Sequence, residues 1–136
     1  MTAIQSSTFL RRVLLLDAAS SGAMGVLLLT CGGLLSGLLN LPAELLREAG
    51  ILLVPFALAV GFLGTRDRLP RAAVWVVIAI NAIWAVDSVV LLFTGWVQPN
   101  LLGSVFVLGQ AAFVAVMAEL EVIGMRKSPA VAVARS

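Results

Sequence analysis

The stretch that most limits what this chain can become is residues 72–97, AAVWVVIAINAIWAVDSVVLLFTGWV, an apolar run that nevertheless contains Asn81 and Asp87. As an α-helix it rises about 39 Å, more than the roughly 30 Å hydrocarbon thickness of a bilayer. Asp87 then falls about 15 Å from the Val97 end, near mid-membrane. Water does not reach a carboxyl group at that depth, and an ionised one costs roughly 3 kcal/mol or more unless neighbouring helices supply partners. The run therefore predicts a transmembrane helix packed inside a bundle.

Composition points the same way, because 61% of the 136 residues are hydrophobic and only 12% charged, half the charge of an ordinary soluble domain. The 9 basic residues stand in short clusters beside apolar runs. They read as orientation signals and not as a nucleic-acid stripe. With no His, no Tyr and Cys31 alone, the chain lacks the means for His-ligated haem, ordinary zinc sites, an internal disulfide or CxxC redox chemistry. No nucleophile–base pair and no metal set is visible, so no catalytic residue, metal or cofactor is expected and the chain reads as a non-enzyme. Asp17 interrupts the first apolar run, which also exceeds the 7 to 15 apolar residues of a signal peptide. That run is therefore a retained helix.

The chain divides into an N-terminal leader (1–12), a single all-α, four-helix transmembrane domain (13–125) and a mobile C-terminal tail (126–136). The helices are expected at 13–39, 43–65, 72–97 and 101–125. Asn40, Pro42 and Glu44 are a helix start, and Pro55 should bend the second helix. Thr65–Arg71 is a loop rich in Arg, and Gln98-Pro99-Asn100 is a turn that makes helices 3 and 4 antiparallel neighbours. Arg11, Arg12, Arg66, Arg68, Arg71, Arg126, Lys127 and Arg135 fall on one side, with Arg47 alone opposite. The positive-inside rule then puts both termini in the cytoplasm and the protein in a bacterial inner membrane as a multi-pass chain.

Small residues mark where helices can approach closely, since packing replaces the hydrophobic drive in lipid. Gly22, Gly25 and Gly33 share a sector of helix 1, Gly37 lies one turn beyond, and Ala57 and Gly61 form a small-xxx-small pair on helix 2.

The polar residues inside the spans are the candidate site. Asp87 and Gln110 lie ten residues from the outer ends of helices 3 and 4 and are expected to be level and hydrogen-bonded, with Asn81 and Trp84 nearby. Two readings stay open: hydrogen-bonding glue worth about 0.6 to 2 kcal/mol, or a proton or cation site. Asp17, Glu119 and Glu121 form a second layer near Arg11, Arg12 and Arg126, where snorkelling and ion pairs should satisfy them. Glu119 continues the Ala112 and Ala115 surface of helix 4, whereas Glu121 continues the opposite one through Gly103, Gln110 and Met117. Two such faces predict a homo-oligomer.

In length, helix number and an acidic residue early in helix 1, the chain resembles the small multidrug resistance transporters, whose essential carboxylate Asp17 matches. NAIWAVDSVVLLFTGWVQP and FVAVMAELEVIGMRK are similar to segments of a family of small uncharacterised bacterial four-helix membrane proteins, a likeness that covers nearly the whole chain and implies membrane location without an activity. The expected function is a non-enzymatic accessory or assembly module that sits in the lipid bilayer, self-associates and serves a larger membrane-protein partner, with no nucleic acid. The alternative is a small proton- or cation-coupled transporter using Asp87 or Asp17.

Overall fold

The computed structural model describes residues 2–131. Four long helices carry the chain: α1 (Thr8–Leu39), α2 (Ala43–Gly64), α3 (Arg71–Phe93) and α4 (Leu101–Arg126). All four are long and apolar enough to cross a membrane. The protein is an all-α, multi-pass four-helix bundle.

The helices alternate in direction, so one end of the bundle gathers the start of α1, the α2–α3 connection and the end of α4. That end is closed by a small antiparallel sheet in the order β2–β1–β3, built from β1 (Ala3–Gln5), β2 (Arg68–Pro70) and β3 (Ala130–Val131). Three expectations are corrected here. Instead of a leader running to residue 12, Ala3–Gln5 form the central strand and α1 already starts at Thr8, with Ser7 as its N-cap, accepting from the Leu10 amide. The Arg-rich connection and the near part of the tail pair with the leader, because an isolated strand at a membrane surface would leave amides and carbonyls without partners. The expected mobile tail is ordered to Val131, and residues 132–136, with Arg135, lie outside the described residues.

Side chains lock this end further. Ser6 donates to the carbonyls of Arg66 and Asp67 at 2.7 and 3.0 Å, and Ser128 donates to the Gly124 carbonyl at 2.8 Å while receiving the Ser7 amide at 3.0 Å. Beneath the sheet, Ile4, Leu10, Leu14, Val60, Leu69 and Val74 make one apolar core. A second core at the opposite end holds Leu28, Leu39, Leu41, Leu46, Val97 and Val107.

At that opposite end α3 stops at Phe93, four residues short of the expected boundary. Gly95 takes φ +78°, a left-handed backbone that ends a helix. Asn100 then joins the two hairpins: its Oδ1 accepts from the Gly103 amide and caps α4, and its Nδ2 donates to the Leu38 carbonyl at the end of α1. A Cβ on Gly103 would overlap the Leu39 carbonyl oxygen, so the α1–α4 crossing needs that glycine.

Helix packing is uneven. α1 lies along α2, α4 lies on both α3 and α1, and α2 and α3 touch sparsely. Gly22 faces Ala57, Gly61 faces Ala18, and Gly25 faces Val54. Gly33 and Gly37 depart from the expectation: they face open space, because α1 and α2 draw together over the Gly25–Gly50 crossing and the Gly33–Gly37 side of α1 points away from α2. Pro55 sits within a continuous α2.

Candidate functional site

Between the two apolar cores, α1, α3 and α4 each direct one polar side chain to a common point. Asp17, Asn81 and Glu121 retain 2%, 3% and 0% of their exposure, the deepest polar burial in the bundle. Asn81 Nδ2 donates to Asp17 Oδ2 at 2.8 Å and to Glu121 Oε1 at 2.7 Å, spending both amide hydrogens on carboxyl groups. Ser21 donates to the other Asp17 oxygen at 3.3 Å. Glu121 Oε2 is fully enclosed and has no hydrogen-bond partner among the described residues.

Local sequence explains the convergence. Asp17 sits on the buried stripe Leu10, Val13, Leu14, Asp17 of α1, at helical spacing. Glu121 continues the buried stripe Gly103, Val107, Ala111, Met117 of α4, and Asn81 continues Val74, Val77, Ile78 of α3. The three lie about 7 to 15 Å of helix rise below Arg12, Arg71 and Arg126. No arginine reaches them: the one ion pair among the described residues joins Arg11 to Asp67 at the sheet end.

This overturns two expectations. Asp17 and Glu121 do not snorkel, because the Leu10, Leu14 and Val74 core lies between them and the sheet end. Asp87 does not meet Gln110. With α3 ending at Phe93, Asp87 stands six residues from the helix end, whereas Gln110 stands nine residues into α4. The residue level with Gln110 is Trp84, whose Nε1 donates to Gln110 Oε1 at 2.9 Å. Asp87 is exposed on the bundle surface, as is Glu119. Of the candidates, Asp17 and Asn81 come together, Gln110 lies in the adjacent cavity wall, Asp87 borders a second hollow without joining the cluster, and Glu119 stands apart. Glu121 belongs at the centre, and its position about three turns beyond Gln110 is the signal that marks it.

A cavity of about 600 Å3 adjoins the cluster, with Asp17, Ser20, Ser21 and Asn81 at one end and Phe56, Trp84, Phe106 and Phe113 among its walls. It reaches the lipid-facing surface at Leu52, Ile80, Val105 and Gly109. A second hollow of about 460 Å3 continues it toward the loop end, past Ile83, Asp87 and Leu91. Trp84, Gln110, Met24 and Phe106 border both. Glu121 lies behind Asp17 and Asn81 as seen from the cavity.

No family model, curated protein or solved structure matches this chain.

Proposed function

We propose that the chain is a small proton- or cation-coupled transporter of a bacterial inner membrane, with Asp17, Asn81 and Glu121 as its ion site and the adjoining cavity as its ligand site. The observation that carries this reading is the fully buried, unpartnered Glu121 Oε2 in a carboxyl pair beside a cavity at membrane depth. Both carboxyl groups are held on one amide nitrogen, at 2.8 and 2.7 Å, so two full charges there would repel across a short, enclosed gap. One proton, or one monovalent cation, relieves that repulsion and gives Glu121 Oε2 a partner. An accessory module calls for a filled interior, so the cavity favours the transporter over that reading.

The basic residues gather at the sheet end, which supports placing that end in the cytoplasm. Glu119, exposed beside Ala112 and Ala115 on the outer side of α4, supports a homo-oligomer in which a second copy covers that face.

The test is reconstitution in vesicles containing a pH-sensitive dye, with an imposed proton gradient. Wild type and Asp87→Asn should move protons, while Asp17→Asn and Glu121→Gln should not. Equal traces from all four would overturn the proposal.

A further inference from the structure

Hydrogen-bond donors and acceptors around the cavity are out of balance. Ser20 and Ser21 spend their hydroxyl hydrogens on Asp17, Asn81 spends both amide hydrogens on the carboxyl pair, and Trp84 spends its indole hydrogen on Gln110. One Gln110 amide hydrogen goes to the Val107 carbonyl, leaving its second as the sole side-chain donor to spare. Acceptors remain in excess: each Asp17 carboxyl oxygen takes one bond and has capacity for another. Among the described residues, no Lys or Arg lines either hollow. A ligand head must therefore bring hydrogens, and an anionic head would meet carboxyl groups with no compensating cation.

The remaining walls are elongated and mostly apolar, with Asp87 and Ser88 the further polar side chains along the second hollow. From Asn81 to Leu91 the two hollows follow α3 for about 15 Å, bordered by Leu52, Leu53 and Phe106, and they open at lipid level. From this we propose that the crevice binds a single-chain amphiphile with a hydrogen-bond-donating head, a long-chain primary amine or alcohol, its head on Asp17 and its chain running toward Leu91. The inference rests on the transporter reading only for its coupling, since binding can be measured without transport.

The requirement is for donor hydrogens and not for positive charge alone. A quaternary ammonium head has the charge but no N–H, so it cannot fill the open lone pairs on Asp17. Head groups of equal chain length therefore separate the contributions.

The experiment uses the full chain in phosphatidylcholine nanodiscs with Trp75→Phe and Trp96→Phe, both exposed positions, which leaves Trp84 as the reporter in the cavity wall. Dodecylamine, dodecanol, dodecyltrimethylammonium and laurate are titrated while Trp84 emission is read. The amine and the alcohol should give saturable shifts with apparent Kd about tenfold or more below that of the trimethylammonium probe, and laurate should give none. Asp17→Asn, which replaces one acceptor oxygen by a donor, should weaken binding of both the amine and the alcohol toward that of the trimethylammonium probe. Gly109→Leu supplies a variant expected to fold, because a Cβ there meets nothing within 4 Å; its side chain should occupy the cavity mouth and abolish every saturable shift. Equal responses to all four heads, tightest binding by laurate or the trimethylammonium probe, or unchanged binding in Gly109→Leu would overturn the inference. Saturable amine binding with no proton uptake or release in the same sample would uphold the ligand class and overturn the coupling.

Discussion

Asn81→Leu is the substitution that weighs the buried cluster most directly, since leucine keeps the branched heavy-atom shape of asparagine and removes both amide hydrogens. Hydrogen bonds to charged groups contribute about 1.5 to 3 kcal/mol each in proteins generally, while side-chain hydrogen bonds between membrane helices average about 0.6 and reach about 1.7 kcal/mol. Both Asn81 bonds are short, at 2.8 and 2.7 Å, and all three partners are almost completely enclosed, so the upper membrane figure applies to each. The expected loss is about 3 kcal/mol, more than a hundredfold in the folding equilibrium. Reversible unfolding in mixed micelles with increasing sodium dodecyl sulfate, followed by Trp emission, measures it. Asp87→Asn is the internal comparison: Asp87 is exposed and its substitution should change stability by less than about 0.5 kcal/mol. A double-mutant cycle of Asn81→Leu with Asp17→Asn should show coupling of at least about 0.5 kcal/mol. A loss below about 0.5 kcal/mol for Asn81→Leu, or a larger loss for Asp87→Asn, would refute the claim that the cluster joins α1, α3 and α4.

Gly103→Ala should lower stability by about 1 to 3 kcal/mol, since its Cβ meets the backbone of α1, whereas Gly33→Ala, facing open space on the same helix it would stiffen, should raise stability by up to about 1 kcal/mol; the same micelle titration compares them. Asn100→Ala removes one side chain that caps α4 and holds the end of α1, and should cost about 1 to 2 kcal/mol with early loss of amide protection around Leu38–Gly103 in hydrogen exchange. A periplasm-dependent reporter fused at Asn100 should be active and one fused at Lys127 inactive, and activity at Lys127 would reverse the proposed orientation.

Helix number and direction are legible in this sequence because hydropathy and bilayer thickness leave little choice, and the contacts of Gly22, Gly25, Ala57 and Gly61 follow from their shared faces. The site was harder to read because depth matching depends on where each helix ends. Extending α3 to Val97 shifts its register by four residues, a full turn, which pairs Asp87 with Gln110; Gly95 in a left-handed backbone ends it earlier and gives that partner to Trp84. Arginines close to Asp17 and Glu121 in sequence do not reach them for a different reason: closeness along a helix is not burial, which is decided by what lies sideways, and the core of Leu10, Leu14 and Val74 is assembled from helices distant in sequence. The closing sheet was illegible for the same reason, since its three short strands come from the two termini and a loop and have no pattern until the helices bring them together.

The two sides of the Asp17–Asn81–Glu121 cluster are built to different standards. Toward the sheet end, any path from the cluster must pass a filled apolar core and then a sheet whose three strands are tied by Ser6, Ser7 and Ser128. Toward the lipid, the cavity is already open at Leu52 and Ile80, where α2 and α3 touch sparsely. Opening the closed side requires separating α1 from α4 where a Cβ on Gly124 would press within 3.0 Å of the Leu10 backbone, together with the Asn81 bonds that span the same helices. The polar cluster and the closed end thus share one seam. In the proposed transporter, a proton or cation that alters how Asn81 holds Asp17 and Glu121 would loosen the bridge that α3 makes between α1 and α4 beside the Leu10–Gly124 contact, a route for coupling that needs no motion in the tightly packed α1–α2 hairpin.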